Sequence, residues 1–242
     1  MRKILGSLFK ILGSLVAAIF CVALVAGVVF GIRGYNLYQK AVEQEPIQQK
    51  VEAICAEEHF TEFSELPERY IDAVISVEDH RFWNHGGIDI IAIGRALWSD
   101  LKSFSLAEGG STITQQVAKN LYFTQEKTLE RKFAEVFTAF ALESMYSKQE
   151  IFELYVNPIY FGSGYYGIYE AAQGYFHKTP KQLSDYESVM LAGLPNAPSA
   201  YSPDANPELA NQRMEHVLNR MVACNVLTQK QADDLLLAAP EG

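Results

Sequence analysis

The sequence predicts a mainly α-helical protein with one transmembrane helix near its N-terminus. Residues 11–32 contain no charged side chain, and these 22 residues reach about 33 Å as a helix, enough to cross a hydrocarbon core of about 30 Å. Apolar residues then recur with helical periodicity, and no segment alternates with period two between hairpin turns. Ser184-x-x-Glu187 and Thr228-x-x-Gln231 are predicted capping boxes. The predicted helices cover residues 67–77, 89–102, 112–122, 127–146, 148–156, 166–177, 183–194, 207–224 and 229–238.

Charge and hydropathy divide the chain into four parts. Residues 1–10 form a short N-terminal segment, and residues 11–32 form the apolar run. Residues 33–58 are polar and rich in Gln and Glu, which predicts a helical extension or stalk between the membrane and the domain. Residues 59–242 then suffice for one domain of ordinary size with a sizeable core.

The basic residues around the apolar run predict its orientation. Arg2, Lys3 and Lys10 precede the run and Arg33 and Lys40 follow it, so the positive-inside rule favours a cytoplasmic N-terminus. Small residues within the run leave open a cleaved signal peptide, but the run exceeds the roughly 7 to 15 apolar residues usual for such peptides. We therefore expect an uncleaved, single-pass anchor in the cell membrane, with the domain outside the cytoplasm.

The net charge limits the partners that the domain can bind. The chain has 20 basic and 29 acidic residues, and five of the basic ones precede the first acidic residue, Glu43. A remainder this acidic argues against nucleic acid as a partner, because phosphate backbones need extended basic surfaces. Any anionic substrate would need cations concentrated locally.

The three cysteines do not indicate a metal site. Cys21 lies within the apolar run, and Cys55 and Cys224 are far apart without the spacing of metal ligands. An exported domain allows a disulfide between them. Two buried free thiols are the simpler interpretation.

Residues 78–89 bring together residue types that suit catalysis beside a Gly-Gly turn. Glu78 follows an apolar helical stretch, so we expect it to emerge from a buried helix into a cleft and act as a general base. Asp79 is predicted to hold the following loop together with Arg81 and His85, the histidine making a structural hydrogen bond. A Glu-Asp pair alone is more often a solvated face or a cap. The histidines and the arginine beside it indicate a functional site.

A second block, residues 108–120, crowds hydroxyl, amide and cationic side chains around another Gly-Gly pair. A hydroxyl after the glycines can cap the next helix, whose N-terminal N–H groups then face any bound anion. Lys119 falls on the same helix face as one or both of the preceding glutamines. An ordinary capped surface helix would explain Gly-Gly-Ser-Thr alone, but not the density of polar groups. The polar residues of this block considered for the site are Ser111, Thr112, Gln115, Gln116, Lys119 and Asn120.

Three later blocks complete the pattern. Arg131 and Glu135 are neighbours at i and i+4, which alone would be a routine helix ion pair. Residues 155–168 end a helix at a proline and turn through three glycines with interleaved tyrosines, which predicts a packed loop whose aromatic faces could also contact a sugar. Residues 170–195 contain small residues typical of close helix packing and are predicted to be scaffold.

The five blocks, in this order and spacing, resemble the motifs of the bacterial peptidoglycan glycosyltransferases, family 51, over residues 66–203. The resemblance implies a lysozyme-like α-helical fold with a large lobe and a small membrane-facing jaw. It indicates the monofunctional, membrane-anchored branch, because S-x-x-K, S-D-N and K-T-G do not occur in the order of a penicillin-binding transpeptidase. Apolar side chains near the jaw are expected to enter the membrane or a core, namely Trp98, Leu101, Phe104 and Leu106.

The resemblance also implies an activity, the polymerisation of lipid II into β-1,4-linked glycan strands during cell-wall synthesis. Glu78 would remove the proton of the acceptor GlcNAc 4-hydroxyl. That oxygen would attack C1 of the MurNAc at the reducing end of the growing strand, with inversion, and expel undecaprenyl pyrophosphate. The implied partners are lipid II, the growing glycan strand, the cytoplasmic membrane and other cell-wall synthesis proteins.

The motif positions imply roles for the remaining site residues. Lys119 and Arg131 would supply cations, because a pyrophosphate leaving group needs charge neutralisation more than it needs a proton. Glu135 would be a second catalytic residue that orients these cations or holds a divalent metal ion, Mg²⁺ or Mn²⁺. Contacts to the saccharide and the pyrophosphate are predicted for Arg81, Ser111, Gln115, Gln116 and Asn120.

Two other classes of protein also match parts of this pattern. A lytic murein-cleaving enzyme would share the lysozyme-like fold and a single glutamate, but it would not need the cluster of Gln115, Lys119 and Arg131. A catalytically silent, membrane-anchored scaffold would keep the core and tolerate loss of Glu78, so the presence of Glu78 argues against it.

Overall fold

Helices make up nearly all of the regular structure, which confirms the predicted mainly α fold. The structure, a computed structural model, describes residues 2–103, 110–124, 126 and 128–238. Within these residues the helices are α1 Arg2–Gln44, α2 Ile47–Cys55, α3 Glu68–Glu78, α4 Ile90–Ser103, α5 Ile113–Tyr122, α6 Leu129–Met145, α7 Lys148–Val156, α8 Ile168–Phe176, α9 Asp185–Gly193, α10 Pro198–Tyr201, α11 Pro207–Ala223 and α12 Gln229–Leu237. Short 3₁₀ turns lie at Phe63–Glu65, Phe82–Asn84, Pro180–Gln182 and Leu194–Asn196.

Side-chain caps fix several helix starts, as the sequence predicts. Ser184 and Glu187 form a capping box at α9, and Thr228 and Gln231 form one at α12. In each, the hydroxyl accepts from a first-turn N–H while the longer side chain accepts from the backbone of the capping residue. These starts are encoded locally and do not depend on tertiary packing.

The predicted loop between α7 and α8 contains a short hairpin. Strand β1, Tyr160–Gly162, pairs antiparallel with β2, Tyr165–Tyr166. Gly162 has φ +93°, and a Cβ there would lie 2.6 Å from the Pro198 carbonyl oxygen, so the turn requires glycine. Strands of two or three residues are too short to show the alternation by which a strand is recognised in sequence.

Helix α3 lies at the centre of the core and ends at the candidate site. It packs against α9 and α11, while α5 packs against α6 and α7. Phe82, directly after α3, is fully buried and meets Phe152 of α7 at a ring-centroid distance of 6.2 Å. This aromatic packing fixes the loop that follows the last residue of α3, Glu78.

Helix α1 is long and apolar enough to cross a membrane, with an unburied span of mean hydropathy 2.9. Its later turns differ from the expected stalk because they pack on the domain. The Arg33 guanidinium lies 2.7 Å from the Glu130 carboxylate, and Gly34 is buried against Phe133 of α6. In α2, Ile47 is also buried in the core. Residues 33–58 are therefore helical but are not a free spacer.

The two cysteines outside the apolar run match the expectation of free thiols but not that of burial. Cys55 and Cys224 are both free, so the optional disulfide is absent, and Cys55 is exposed rather than buried as expected.

Phe104 and Leu106, expected at the membrane-facing jaw, lie outside the described residues. The backbone of residues 98–101 belongs to α4.

Candidate active site

Glu78 lies at the end of α3, on the wall of a cleft of about 430 Å³. Its side chain is only 13% exposed. The Gln116 amide donates to Glu78 Oε2 at 2.8 Å, and Arg213 Nη2 lies 3.6 Å from Oε1. The expected emergence of Glu78 from a buried helix into a cleft therefore agrees with the geometry.

Asp79 connects the loop after α3 to the start of α5, in the structural role predicted for it. One carboxylate oxygen accepts from the Ile113 N–H at 3.0 Å, and the other lies 2.8 Å from His85 Nε2. Burial would lower the pKa of His85, but its hydrogen bonds to Asp79 and to the Gly86 carbonyl oxygen outweigh burial and raise that pKa. His85 is thus a structural partner in this arrangement.

Arg81 faces Asp89 rather than Glu78. Arg81 Nε lies 3.0 Å from Asp89 Oδ2, and the other Asp89 oxygen accepts from the Ile91 and Ala92 N–H groups at 2.9 and 3.0 Å. Burial would raise the pKa of Asp89, but these N–H donors and the guanidinium hold it below its usual value. Arg81 therefore pairs with the residue whose carboxylate caps the start of α4, and its predicted contact with substrate stays a prediction.

The start of α5 divides the second sequence block into scaffold and cleft residues. Gln115 is buried, and its amide oxygen accepts from the Thr112 N–H at 3.1 Å in a capping box. The structure thus gives Gln115 a capping role, and its predicted contact with substrate stays a prediction. Ser111 lines the cleft and accepts from Lys132 Nζ at 2.7 Å. Asn120 is exposed on α5, without a side-chain hydrogen bond among the described residues.

A cationic group made by Lys119, Arg131 and Lys132 surrounds the buried Glu135. Arg131 Nε lies 3.2 Å from Glu135 Oε1, and Lys132 Nζ lies 2.8 Å from Oε2. Arg131 Nη1 donates to the Thr124 carbonyl oxygen at 2.8 Å, while Nε forms the ion pair with Glu135 without a hydrogen bond. Within this block, the sequence predicts Arg131 and Glu135 as site residues, but not Lys132.

Lys119 differs from its two neighbours because it has no ion pair among the described residues. Burial lowers the pKa of Lys119; the Glu135 charge opposes this, Arg131 and Lys132 add to it, and Glu78 opposes it weakly. A partly buried ammonium without a fixed partner is poorly stabilised in the free protein. It is therefore well suited to meet an anionic ligand.

The carboxylate groups here do not fit a divalent metal ion. Both Glu135 oxygens lie at cations, and a bound metal would add a third positive charge to that group. Asp79, His85 and Asp89 each have one possible ligand atom within 4.8 Å of the others, which is close enough to hold a metal ion. Both Asp79 oxygens and Asp89 Oδ1, however, already accept from backbone N–H groups or contact His85, and Asp89 Oδ2 lies 3.0 Å from Arg81 Nε as an ion pair without a hydrogen bond. No step below depends on a metal, and the predicted Mg²⁺ or Mn²⁺ stays a prediction.

The cationic group on α5 and α6 adjoins the cleft through Ser111, and we call it the α5 and α6 wall; a second basic group, the α4 and α11 wall, lines the cleft itself and was not predicted from the sequence. Arg95 of α4 and Arg220 and His216 of α11 line the cleft with His80. His80 Nε2 lies 3.3 Å from Arg95 Nη1, and this histidine is partly buried. Burial and then the neighbouring arginines lower the pKa of both histidines, which leaves the arginines as the cations near pH 7.

A sequence signal for this wall existed within α11. Arg213, His216 and Arg220 stand at i, i+3 and i+7, the spacing that places side chains on one helical face. Such a basic stripe is common on exposed helices. Only the packing of α11 against α3 turns it towards Glu78.

Comparison with known proteins agrees with the resemblance found in the sequence. The model of the family described as transglycosylase matches residues 44–222. Penicillin-binding protein 1A of Neisseria gonorrhoeae is 48% identical over 177 residues, which are 73% of this chain and 22% of that protein. Penicillin-binding protein 1A of Aquifex aeolicus is 45% identical over 175 residues, 72% of this chain and 24% of that protein.

A solved structure of penicillin-binding protein 1A from Haemophilus influenzae matches 73% of this chain and 17% of its own, with 24% identity and a TM-score of 0.44. This chain spans less than a quarter of the length of these curated relatives. The family match covers most of the chain, and the chain belongs to the transglycosylase family. The monofunctional branch stays a prediction.

Proposed function

We propose that this protein is a peptidoglycan glycosyltransferase that polymerises lipid II into β-1,4-linked glycan strands and releases undecaprenyl pyrophosphate. The proposal depends on one observation above all. Glu78, hydrogen-bonded by Gln116, lines a cleft together with Arg95 and Arg220, and Ser111 of the same lining contacts Lys132 of the other cationic group. This arrangement supplies a base for a sugar hydroxyl and positive charge for pyrophosphates, as the family relationship suggests.

In the proposed reaction, Glu78 accepts the proton of the acceptor 4-hydroxyl as that oxygen forms a bond to C1 of the strand. The bond from C1 to the pyrophosphate oxygen breaks with inversion, and the electron pair leaves with undecaprenyl pyrophosphate. Lys119 is the best placed cation for this leaving group, because its charge is not neutralised by an ion pair among the described residues. Arg131 and Lys132, held by Glu135, add fixed positive charge beside it.

The two basic walls suit a reaction between two pyrophosphate-bearing molecules. The growing strand carries one pyrophosphate at its reducing end, and lipid II carries another. We assign the α5 and α6 wall to the leaving group, and the α4 and α11 wall, with Arg95 and Arg220, to the incoming lipid II. Positive charge on both sides of Glu78 is what such a pair requires.

We further propose that α1 anchors the protein in the cytoplasmic membrane with its N-terminus in the cytoplasm. Basic residues before the apolar run support this orientation. The long apolar helix and its packing against α6 would then hold the cleft near the lipid-linked substrate. Partners among other cell-wall synthesis proteins remain a prediction from the resemblance.

The deciding experiment incubates the purified full chain with lipid II, with and without a divalent metal, and separates the products by size. Lengthened glycan strands that disappear in Glu78→Gln support the proposal. If the protein instead shortens preformed strands, a lytic enzyme is the better assignment. A folded protein that does neither would favour the silent scaffold.

A further inference from the structure

Glu78 also contacts a basic residue that does not line the cleft. Arg213 lies on α11, and its Nη2 atom is 3.6 Å from Glu78 Oε1. Its side chain is 11% exposed, and it is not among the residues that line the cleft. Arg213 thus differs from Arg220, which lies about two turns further along the same face of α11 and lines the cleft.

The backbone of α9 holds Arg213 in place. Arg213 Nε donates to the Gly193 carbonyl oxygen at 3.0 Å, and its guanidinium carbon lies 5.7 Å from the ring centroid of Tyr201. A Cβ at Gly193 would lie 3.0 Å from Arg213 Cγ, so the absence of a side chain there lets the arginine approach. These contacts leave Nη2 as the part of the guanidinium that faces the carboxylate.

The surroundings of this pair are poor at stabilising charge. The hydroxyl groups of Tyr70 and Tyr155 are buried and make no hydrogen bond among the described residues. Burial raises the pKa of both tyrosines, and the negative charge of Glu78 raises it further. Both phenols thus stay neutral near Glu78. In so apolar a setting a single cation has a large effect on the neighbouring carboxylate.

We infer that Arg213 is a positioning residue that keeps the Glu78 carboxylate ionised and correctly oriented for proton transfer. Gln116 fixes Oε2 through a neutral hydrogen bond, and Arg213 provides the charge on the Oε1 side. Lys119 on α5 is a further charged group that interacts with Glu78, and the proposed reaction assigns it to the leaving group; Arg95 and Arg220 line the same cleft. This inference rests on the proposed function, since it concerns the base of that reaction.

The test compares Arg213→Met and Arg213→Lys with Arg69→Met as a matched control. Arg69, like Arg213, pairs with a carboxylate: its Nε lies 3.0 Å from Asp185 Oδ2. This second pair is on the surface and away from the cleft. We expect Arg213→Met to lower kcat about 10- to 100-fold with KM changed less than about threefold. Arg213→Lys, which keeps the charge, should recover part of kcat.

The pH profile separates positioning from a purely structural role. Without the cation the carboxylate binds a proton more readily, so the acidic limb of the kcat profile of Arg213→Met should move to higher pH. Its activity should therefore recover partly as the pH rises. Melting temperatures of all variants are measured in parallel. If Arg213→Met does not fold, the profile of Arg213→Lys carries the test, because the shorter and less fixed lysine cation should move the same limb by a smaller amount.

Three results would overturn the inference. They are equal kcat values for Arg213→Met and Arg69→Met, a rise in KM with kcat unchanged, and a loss of kcat with an unshifted acidic limb. Failure of the proposed function is a separate outcome, because the wild-type protein would then make no polymer from lipid II at any pH.

Discussion

The two walls of the cleft carry positive charge in different ways. On the α5 and α6 wall, Arg131 and Lys132 are held by the buried Glu135 and are in position before any ligand binds. On the α4 and α11 wall, Arg220 has no ion pair among the described residues, and the histidines beside it are neutral near pH 7. The first wall is preorganised for a transition state, whereas the second is suited to holding a substrate.

The largest expected effect is at the base between the walls. Glu78→Gln keeps the size of the side chain but cannot accept a proton at neutral pH, so polymerisation should fall by a factor on the order of 10² to 10⁴. Lipid II should still bind, because both basic walls remain. Rates and equilibrium binding are measured with Glu65→Gln as the control, since Glu65 is an exposed glutamate paired only with Lys181. Substantial polymer from Glu78→Gln would remove Glu78 from its role.

The next largest effect is expected at Lys119, which has no ion pair among the described residues, unlike Arg131 and Lys132 on the same wall. Lys119→Met should lower kcat about 10- to 100-fold. It should not lower the melting temperature near pH 7, because burial lowers the pKa of this lysine and the folded state therefore gains nothing from its charged form. Lys178→Met is the control, as Lys178 pairs with Glu187 away from the cleft.

Arg131→Met should behave differently in the same assay. It should lower both turnover and melting temperature, because it leaves the buried Glu135 oxygen without its partner. If Lys119→Met loses stability as Arg131→Met does, or if it polymerises at the normal rate, Lys119 is not the cation that meets the leaving group.

A smaller effect is expected from the second wall. Arg220→Met removes a cation that contacts substrate before and during the reaction alike, so KM should rise about tenfold while kcat changes little. Arg95→Met should act in the same direction. A large loss of kcat with unchanged KM in these variants would mean that the two walls do not divide binding and catalysis as proposed.

The same comparison explains which parts of the site were predictable. Lys119, Arg131 and Glu135 are close in sequence and fall in blocks whose spacing has a family counterpart, so their neighbourhood was expected. The capping role of the buried Gln115 was not predicted, because capping boxes and substrate contacts use the same amide group. The fold class followed from helical periodicity, as it should for long amphipathic segments.

The second wall and the stalk could not be predicted, for a different physical reason. Arg95 and Arg220 lie on helices far apart in sequence, and their convergence on Glu78 depends on the packing of α11 against α3. Likewise, the polar composition of residues 33–58 says nothing of Gly34, whose missing side chain allows α1 to pack against Phe133. Long-range packing creates both features, and single-sequence patterns report only local order.

The smallest expected effect concerns the predicted metal and bears on the preorganised wall alone. Glu135 orients Arg131 and Lys132 in this geometry, so Glu135→Gln should lower kcat by weakening both ion pairs. If that is its whole role, titrating Mg²⁺ or Mn²⁺ into chelator-treated enzyme should change the rates of wild type and Glu135→Gln by the same factor. A metal held by Glu135 would instead make the variant need a higher metal concentration, which would replace the cation-orienting role by direct coordination. Repeating the titration with Arg220→Met gives the reference for a variant altered only on the other wall.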